Sequence, residues 1–183
     1  MGKQFEELSE SHTKFIEEQK LFFVGTAATE GSVNISPKGM DSLRVLNNKR
    51  VIWLNVTGSG NESSAHVQLN PRMTLMFCAF NGAPLILRLY GIAKVIHMND
   101  PSWTELYSKL NPIIGARQVF DLEIDLVQTS CGYAVPYFDY KGDRELLKNW
   151  AQKQGDDGLK KYWVERNQRT IDGLPTNIVS KNI

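Results

Sequence analysis

A glycine-rich segment is the part of the sequence that best suggests a chemical role. Thr57-Gly58-Ser59-Gly60 follows an apolar, strand-like run and precedes a predicted short helix, residues 61–69. Backbone N–H groups at the start of a helix, together with the helix dipole, form a natural seat for a phosphate group. The segment is therefore a candidate phosphate-binding loop. Short polar side chains in this stretch add hydrogen-bonding groups: Ser59, Asn61, Ser63 and Ser64.

The same segment also fits two other patterns. Ser59 and Glu62 have the spacing of a capping box, in which the N–H groups are satisfied internally. The Glu62 carboxylate would also repel a nearby phosphate. Gly58 and Gly60 approach the dinucleotide-binding fingerprint, but Ser63 replaces its third glycine and no acidic residue lies about 20 positions onward. These residues leave a helix cap and a ligand loop equally open, and they disfavour a Rossmann fold.

Ser36, Pro37, Lys38 and Gly39 form a second candidate segment, where a predicted strand breaks into a tight turn. Lys38 is a candidate to pair with a phosphate or with an oxygen of a flat cofactor ring. The backbone beside Gly39 is open to close approach by such a ring. Taken alone, these residues fit an ordinary turn with a solvated lysine better than a ligand contact.

Arg88 is unusual because it lies inside an apolar strand, Leu85–Tyr90. Strand alternation places it on one face with Ile86 and Tyr90. A buried arginine needs an anionic partner. The sequence predicts either a ligand anion or a carboxylate for this role.

The remaining reactive residue types show no catalytic pattern. His12, His66 and His97 occur singly without ligand spacing, so no metal site is predicted. Cys78 and Cys131 are far apart and form no C-x-x-C pair, which indicates reduced thiols. A structural role is favoured for Cys131, since no activating base is identifiable.

Charge and composition narrow the classes of partner. The chain has 183 residues, with 21 basic and 20 acidic side chains and a net charge of +1. This balance gives no reason to expect a nucleic-acid partner or an anionic membrane partner. No signal peptide and no apolar run of membrane length is evident. We expect one cytoplasmic domain over residues 1–183.

Hydrophobic periodicity divides the chain into short elements separated by turn signals. Short strands joined by short turns indicate antiparallel pairing. The ordered chain is predicted to end at residues 171–175. The predicted helices are residues 3–19, 61–69, 100–110 (capped by Asp100) and 144–167, the last interrupted at Gly155. The predicted strands are residues 21–28, 32–36, 43–46, 51–56, 73–80, 84–97 and 122–129, with a hairpin at Asn81-Gly82.

This order of elements favours a mainly β fold, a closed or partly closed antiparallel barrel carrying N-terminal and C-terminal helices. The barrel is predicted over about residues 20–130 and the helical tail over about residues 141–175.

Over roughly residues 15–175, the sequence resembles the pyridoxamine 5'-phosphate oxidase-like FMN-binding split barrels. The matching features are Asn34–Gly39, Asn70-Pro71-Arg72, Tyr90-Gly91 and Ile171–Pro175. The resemblance implies a Greek-key-like split barrel and a homodimer with FMN in the cleft between the two barrels.

The resemblance also implies roles for individual positions. Lys38 resembles a family lysine that contacts the FMN phosphate. Asn61, Glu62 and Ser63 fall where the oxidases proper have a Ser-Arg-Lys cluster on that phosphate. Val33 replaces an arginine of the oxidases. The phosphate is then expected on Lys38, backbone N–H groups, Ser63 or Ser64, and Arg88.

The C-terminal segment departs from the vitamin B6 oxidases. It lacks their Arg-x-His pattern, and Gly173 replaces an arginine. The chain therefore resembles a divergent member of the family. We expect it to be an FMN-dependent oxidoreductase whose small-molecule substrate or electron donor is unidentified. A non-catalytic flavin carrier or sensor is the main alternative. A haem-binding barrel that uses one of the histidines is a third.

Overall fold

The computed structural model describes residues 2–183, which form an eight-stranded antiparallel sheet and five helices. The strands are β1 (Lys3–Phe5), β2 (Phe22–Thr26), β3 (Asn34–Lys38), β4 (Leu43–Asn47), β5 (Arg50–Val56), β6 (Arg72–Cys78), β7 (Ile86–His97) and β8 (Ala116–Ser130). The helices are α1 (Glu10–Glu18), α2 (Glu62–Leu69), α3 (Trp103–Tyr107), α4 (Leu146–Arg166) and α5 (Ile178–Asn182). The strand order is β3-β2-β6-β7-β8-β5-β4, and β1 pairs with β8. The predicted fold class is confirmed.

Two long central strands organise the core. β7 pairs with β8 along its whole length, so each strand places alternate side chains on the inner face. On that face Trp53 of β5 stacks on Phe120 of β8, with ring centroids 4.3 Å apart and both side chains fully buried. Because apolar side chains fill this interior, a ligand has to bind outside it.

The turn after β3 has an uncommon backbone conformation. Met40 and Asp41 have φ angles of 61° and 51°, in the left-handed region that residues with a side chain seldom adopt. Arg44 holds Asp41 through two hydrogen bonds of 2.7 Å, one to each carboxylate oxygen. The Asn111 amide donates a further 2.7 Å hydrogen bond to Asp41. This clamp fixes the turn next to Lys38.

The N-terminal segment differs from the predicted helix over residues 3–19. Residues Lys3–Phe5 pair with β8, and α1 begins only at Glu10. Ser9 caps α1, because its hydroxyl accepts a hydrogen bond from the N–H of His12 at 3.3 Å. In return, Nδ1 of His12 accepts from the N–H of Ser9 at 3.2 Å. This reciprocal cap accounts for the late start of the helix.

The predicted turn at Gly82 and the predicted helix break at Gly155 are confirmed, whereas the predicted helix cap at Asp100 is wrong. Gly82 has a φ of 72° in the connection between β6 and β7, and Gly155 has a φ of 62° at a break within α4. Asp100, however, does not cap α3. Its carboxylate accepts a 2.8 Å hydrogen bond from the N–H of His97, and α3 spans only Trp103–Tyr107.

Two boundaries also differ from prediction. β8 begins at Ala116, whereas the predicted strand begins at residue 122. The ordered chain does not end at residues 171–175, because α5 follows. Ile178 is fully buried, and Oδ1 of Asn182 accepts a 3.0 Å hydrogen bond from the N–H of Met98. These contacts hold the last helix against the sheet.

Candidate functional site

A pocket of about 540 Å³ opens where the end of β3 meets the glycine-rich loop after β5. That volume lies within the range of small-molecule sites. β3 and its turn form one wall, the loop forms another, and Arg117, Leu147 and Ile171 contribute to the rest. Six of the predicted site residues line this pocket: Ser36, Pro37, Lys38, Gly39, Ser59 and Glu62.

The glycine-rich loop is held by its carbonyl groups. Nδ2 of Asn167 donates to the carbonyl of Gly58 at 3.0 Å. Nη2 of Arg117 donates to the carbonyl of Gly60 at 2.6 Å. Because N–H and C=O point in opposite directions in a trans peptide, the N–H of Ser59 points away from Asn167. Within residues 2–183, the N–H groups of Gly58, Ser59 and Gly60 have no acceptor, so the loop offers free donors to an anion.

Lys38 lines this pocket and places its cation over an aromatic ring of the core. Its Nζ lies 5.4 Å from the centroid of the Trp53 ring, which is a cation–π contact. Burial, and secondarily the positive charge of Arg117, lower the pKa of Lys38 to about 8. The ammonium group is thus mostly charged at neutral pH. No carboxylate of the described chain lies within 4.0 Å of it.

Arg117 is the second cation and is 3% exposed. Its side chain donates only to neutral groups, Oδ1 of Asn167 at 2.7 Å and the carbonyl of Gly60 at 2.6 Å, while its Nε has no partner. Burial lowers the pKa of Arg117 to about 9, so the guanidinium stays charged at neutral pH. A buried guanidinium without a counter-ion is unfavourable. The pocket therefore favours a ligand that supplies negative charge.

The sequence-based prediction missed Arg117 because it started the last strand at residue 122. The signal that identifies it is the run Ala116–Phe120, where Val119 and Phe120 have high β propensity. Extending the strand back to Ala116 puts Arg117 at its start. Because β8 pairs with β5, that position lies beside the loop that follows β5.

Glu62 lines the pocket but belongs to no capping box, so that interpretation is wrong. The N-cap residue of α2 is Asn61, which makes no side-chain cap hydrogen bond. Oε2 of Glu62 instead accepts a 3.3 Å hydrogen bond from the N–H of Ile171. Asp172 accepts from the N–H and the hydroxyl of Ser32 at 2.8 and 3.1 Å. These contacts fasten the segment after α4 at the rim of the pocket.

Three other predicted site residues are turned into the protein and do not line the pocket. Asn61 is 2% exposed and accepts a hydrogen bond from Asn55 at 3.3 Å. Ser63 accepts hydrogen bonds from side chains of β2 and β3 at 3.3 and 3.2 Å. Ser64 accepts from Gln118 at 2.9 Å and donates to a backbone carbonyl at 3.2 Å. Their side chains are thus used for internal packing of α2.

Arg88 lies away from Lys38, in a separate depression of about 570 Å³ on the face formed by β2, β6 and β7. Its Nη1 donates to the hydroxyl of Ser130 at 2.9 Å. Asp125 lines the same depression, but no ion pair to Arg88 is present in residues 2–183. The carboxylate partner predicted as one alternative is therefore not found there.

The three histidines do not line the candidate pocket. His12 takes part in the cap of α1, while His66 and His97 are buried beside Thr26 and Asn182. In the described part of the chain, no group of three or more metal-ligating side chains is found. None of the helices described is both long and apolar enough to span a bilayer.

Comparison with known proteins identifies the family of the chain. The family model described as pyridoxamine 5'-phosphate oxidase matches residues 8–131. The pyridoxamine 5'-phosphate oxidase family protein ustO of Aspergillus flavus is 36% identical over 189 residues. That match covers 93% of this chain and 76% of the relative.

Solved structures give the same fold. A Lactobacillus delbrueckii protein assigned to the pyridoxamine 5'-phosphate oxidases aligns with a TM-score of 0.54 at 21% identity, over 67% of this chain and 94% of that one. A histidine-to-alanine variant of HupZ from Group A Streptococcus gives 0.53 at 17% identity, over 67% and 98%. At these identities the likeness concerns the split-barrel fold alone. Taken with the family model and the Aspergillus relative, it shows that the chain belongs to the pyridoxamine 5'-phosphate oxidase family.

Proposed function

We propose that this protein is an FMN-dependent oxidoreductase and that the pocket between β3 and the glycine-rich loop holds the phosphate end of FMN. Members of the family typically bind a flavin. The observation that carries the proposal is that two cations, Lys38 and Arg117, line one pocket. Neither of them forms a salt bridge with a carboxylate of the described chain. Two cations against the single carboxylate of Glu62 leave the pocket lining with a net positive charge, which a phosphate would neutralise.

The residues present fit an FMN phosphate in chemistry as well as in charge. The loop N–H groups from Gly58 to Gly60 supply backbone donors, and Lys38 supplies a charge-assisted hydrogen bond. Arg117 contributes positive charge and holds the Gly60 carbonyl, and its unpartnered Nε is a further free donor. A neutral ligand would leave both cations without compensation.

FMN when bound supplies hydride or electron transfer, and the protein holds and orients it. The titratable side chains of the pocket are Lys38, Glu62 and Arg117. Glu62 is hydrogen-bonded to the backbone of Ile171. Because this set contains no free acid–base pair, a non-catalytic flavin carrier or sensor is the second candidate.

The proposal includes a homodimer with the flavin between two copies. Members of the family are often dimers. Val33 and Ile35 flank Asn34 in the chain and have 71% and 70% of their surface exposed. Together with Phe23 and Met76 they line the apolar depression on the face of β2 and β6. Burial of this face against a second copy would remove exposed apolar surface.

Titration of the purified protein with FMN and with riboflavin tests the flavin site. We expect FMN to bind at least about 100-fold more tightly, since each charge-assisted contact to phosphate contributes about 1.5–3 kcal/mol. Equal affinities, or no binding of either flavin, would contradict the proposal. Reduction of the bound flavin by NADH or NADPH under argon separates an enzyme from a carrier. The molecular mass in solution tests the dimer.

A further inference from the structure

A chain of buried polar side chains connects α2 to the wall of the pocket. Nδ1 of His66 lies 3.2 Å from the hydroxyl of Thr26, which donates to Ser63 at 3.3 Å. Nδ2 of Asn34 donates to the Ser63 hydroxyl at 3.2 Å. The hydroxyl of Ser36 donates to Oδ1 of Asn34 at 3.0 Å. His66, Thr26 and Ser63 are buried, and the chain ends at Asn34 and Ser36, which line the pocket.

The hydroxyl of Thr26 has one hydrogen, which it donates to Ser63. We assign the hydrogen of the 3.2 Å contact between Thr26 and His66 to Nδ1 of His66, because the Thr26 oxygen can then accept it. Nε2 of His66 is buried and has no hydrogen-bond partner within residues 2–183. The Asn34 amide group donates to Ser63, so its oxygen is the atom available to Ser36.

The consequence for Ser36 is that its only hydroxyl hydrogen is already used. Its oxygen therefore presents lone pairs to the pocket and acts as an acceptor. Asn34, Ser36 and Lys38 alternate along one face of β3. Ser36 then lies about 6.6 Å along the strand from Lys38. FMN anchored at Lys38 by its phosphate would place the hydroxyl groups of its ribityl chain at about that distance.

We propose that Ser36 determines specificity by accepting a hydrogen bond from a hydroxyl of the ribityl chain, and that Asn34, Thr26 and His66 are positioning residues that hold it as an acceptor. This inference rests on the proposed FMN site. It assigns the polyol part of the ligand to β3, next to the phosphate contacts at Lys38.

The test compares FMN with a flavin phosphate whose N10 substituent is a phosphopentyl chain without hydroxyl groups. Ser36→Ala is expected to weaken FMN binding about fivefold and to leave the phosphopentyl flavin unchanged. Ser36→Thr keeps the hydroxyl and should restore the preference for FMN. Ser108→Ala, which removes a hydroxyl at the end of α3, away from both the pocket and the proposed dimer face, should change neither affinity.

Thr26→Val tests the positioning chain at a distance from the ligand. It keeps the shape of the side chain but removes its hydrogen bonds to Ser63 and His66. The ratio of the two flavin affinities should fall by about half, because the Asn34 amide loses its 3.4 Å hydrogen bond to Thr26 and is held by Ser63 alone. A wild-type ratio in a folded Thr26→Val protein would overturn the positioning role. His66→Leu provides the same measurement if the valine variant does not fold.

Two results separate this inference from the FMN site itself. Failure of the wild-type protein to bind either flavin phosphate contradicts the FMN site. Normal FMN binding with equal weakening of both flavins in Ser36→Ala would show that Ser36 contacts the ring or the phosphate, and would overturn the ribityl assignment alone.

Discussion

We expect the replacement of Arg117 by methionine to weaken FMN binding strongly while it changes the free energy of unfolding only slightly. At about 1.4 kcal/mol per pKa unit, burial disfavours the charged guanidinium by about 5 kcal/mol. Its two hydrogen bonds to Asn167 and Gly60 act in the opposite direction and contribute about 3–6 kcal/mol, at about 1.5–3 kcal/mol each. Arg117→Met removes both contributions. The free energy of unfolding of the ligand-free protein should therefore change by less than about 2 kcal/mol.

The affinity for FMN should respond much more strongly. Loss of a desolvated positive charge opposite a phosphate typically weakens binding by about 2–4 kcal/mol, or about 30- to 1000-fold. Riboflavin, which has no phosphate, should bind within about threefold of its wild-type affinity. Quenching of flavin fluorescence measures both ligands, and urea unfolding of the ligand-free protein measures stability.

The variants Arg117→Lys and Arg117→Gln distinguish the charge from the hydrogen bonds. Lysine keeps the charge and should retain part of the preference for FMN over riboflavin. Glutamine keeps a donor for the Gly60 carbonyl and should lose that preference. Lys94→Met, which removes an exposed cation from β7, controls for the overall charge of the protein. Equal weakening of FMN and riboflavin by Arg117→Met would refute the electrostatic reasoning and assign Arg117 to loop support alone.

Three further predictions follow from the same geometry. Lys38→Met should weaken FMN more than tenfold without affecting riboflavin, as titration of both flavins will show; an unchanged FMN affinity would remove Lys38 from the site. FMN affinity should fall as pH rises above about 8, where Lys38 loses its proton, while the stability of the ligand-free protein rises from about pH 8 towards 10.5, because the unfolded chain retains that proton; titrations and urea unfolding below about pH 9, where Arg117 keeps its proton, should show neither trend in Lys38→Met. Gly91→Ala should destabilise the fold by more than about 3 kcal/mol, because the added Cβ would lie 1.9 Å from the carbonyl oxygen of Glu123; a thermal unfolding midpoint within a few degrees of wild type would contradict this.

The fold was accessible from the sequence because its signals are local. Alternating apolar residues and the Asn81-Gly82 turn predict the β6–β7 hairpin, and Gly155 predicts the break in α4. The pairing of Lys3–Phe5 with β8 was not accessible, because it joins segments more than a hundred residues apart. A three-residue strand also carries too little alternation to be separated from a helix.

The site was only partly accessible for a similar reason. Lys38 and the glycine-rich loop are recognisable from residue type and local context. The role of Glu62 depends on Ile171, and the environment of Arg117 depends on Asn167, both distant in the chain. Ser63 and Ser64 look like phosphate ligands in sequence, yet side chains from other elements occupy their hydroxyl groups. Local pattern cannot predict this competition between tertiary partners and a ligand.

The position of the charges suggests how this chain compensates for its departure from the oxidase pattern. The oxidases that it resembles have two cations at the positions of Glu62 and Ser63, and here neither of these side chains is basic. Lys38 on β3 matches a lysine of the family, and the further positive charge of this pocket comes from Arg117 on β8. Both strands are held by ladder hydrogen bonds to neighbouring strands. Arg117 is buried and already donates two hydrogen bonds, so it loses little side-chain freedom when a ligand binds. In the proposed FMN site, Lys38, Arg117 and the backbone loop hold the phosphate, while Glu62 of α2 fastens the C-terminal segment at the rim.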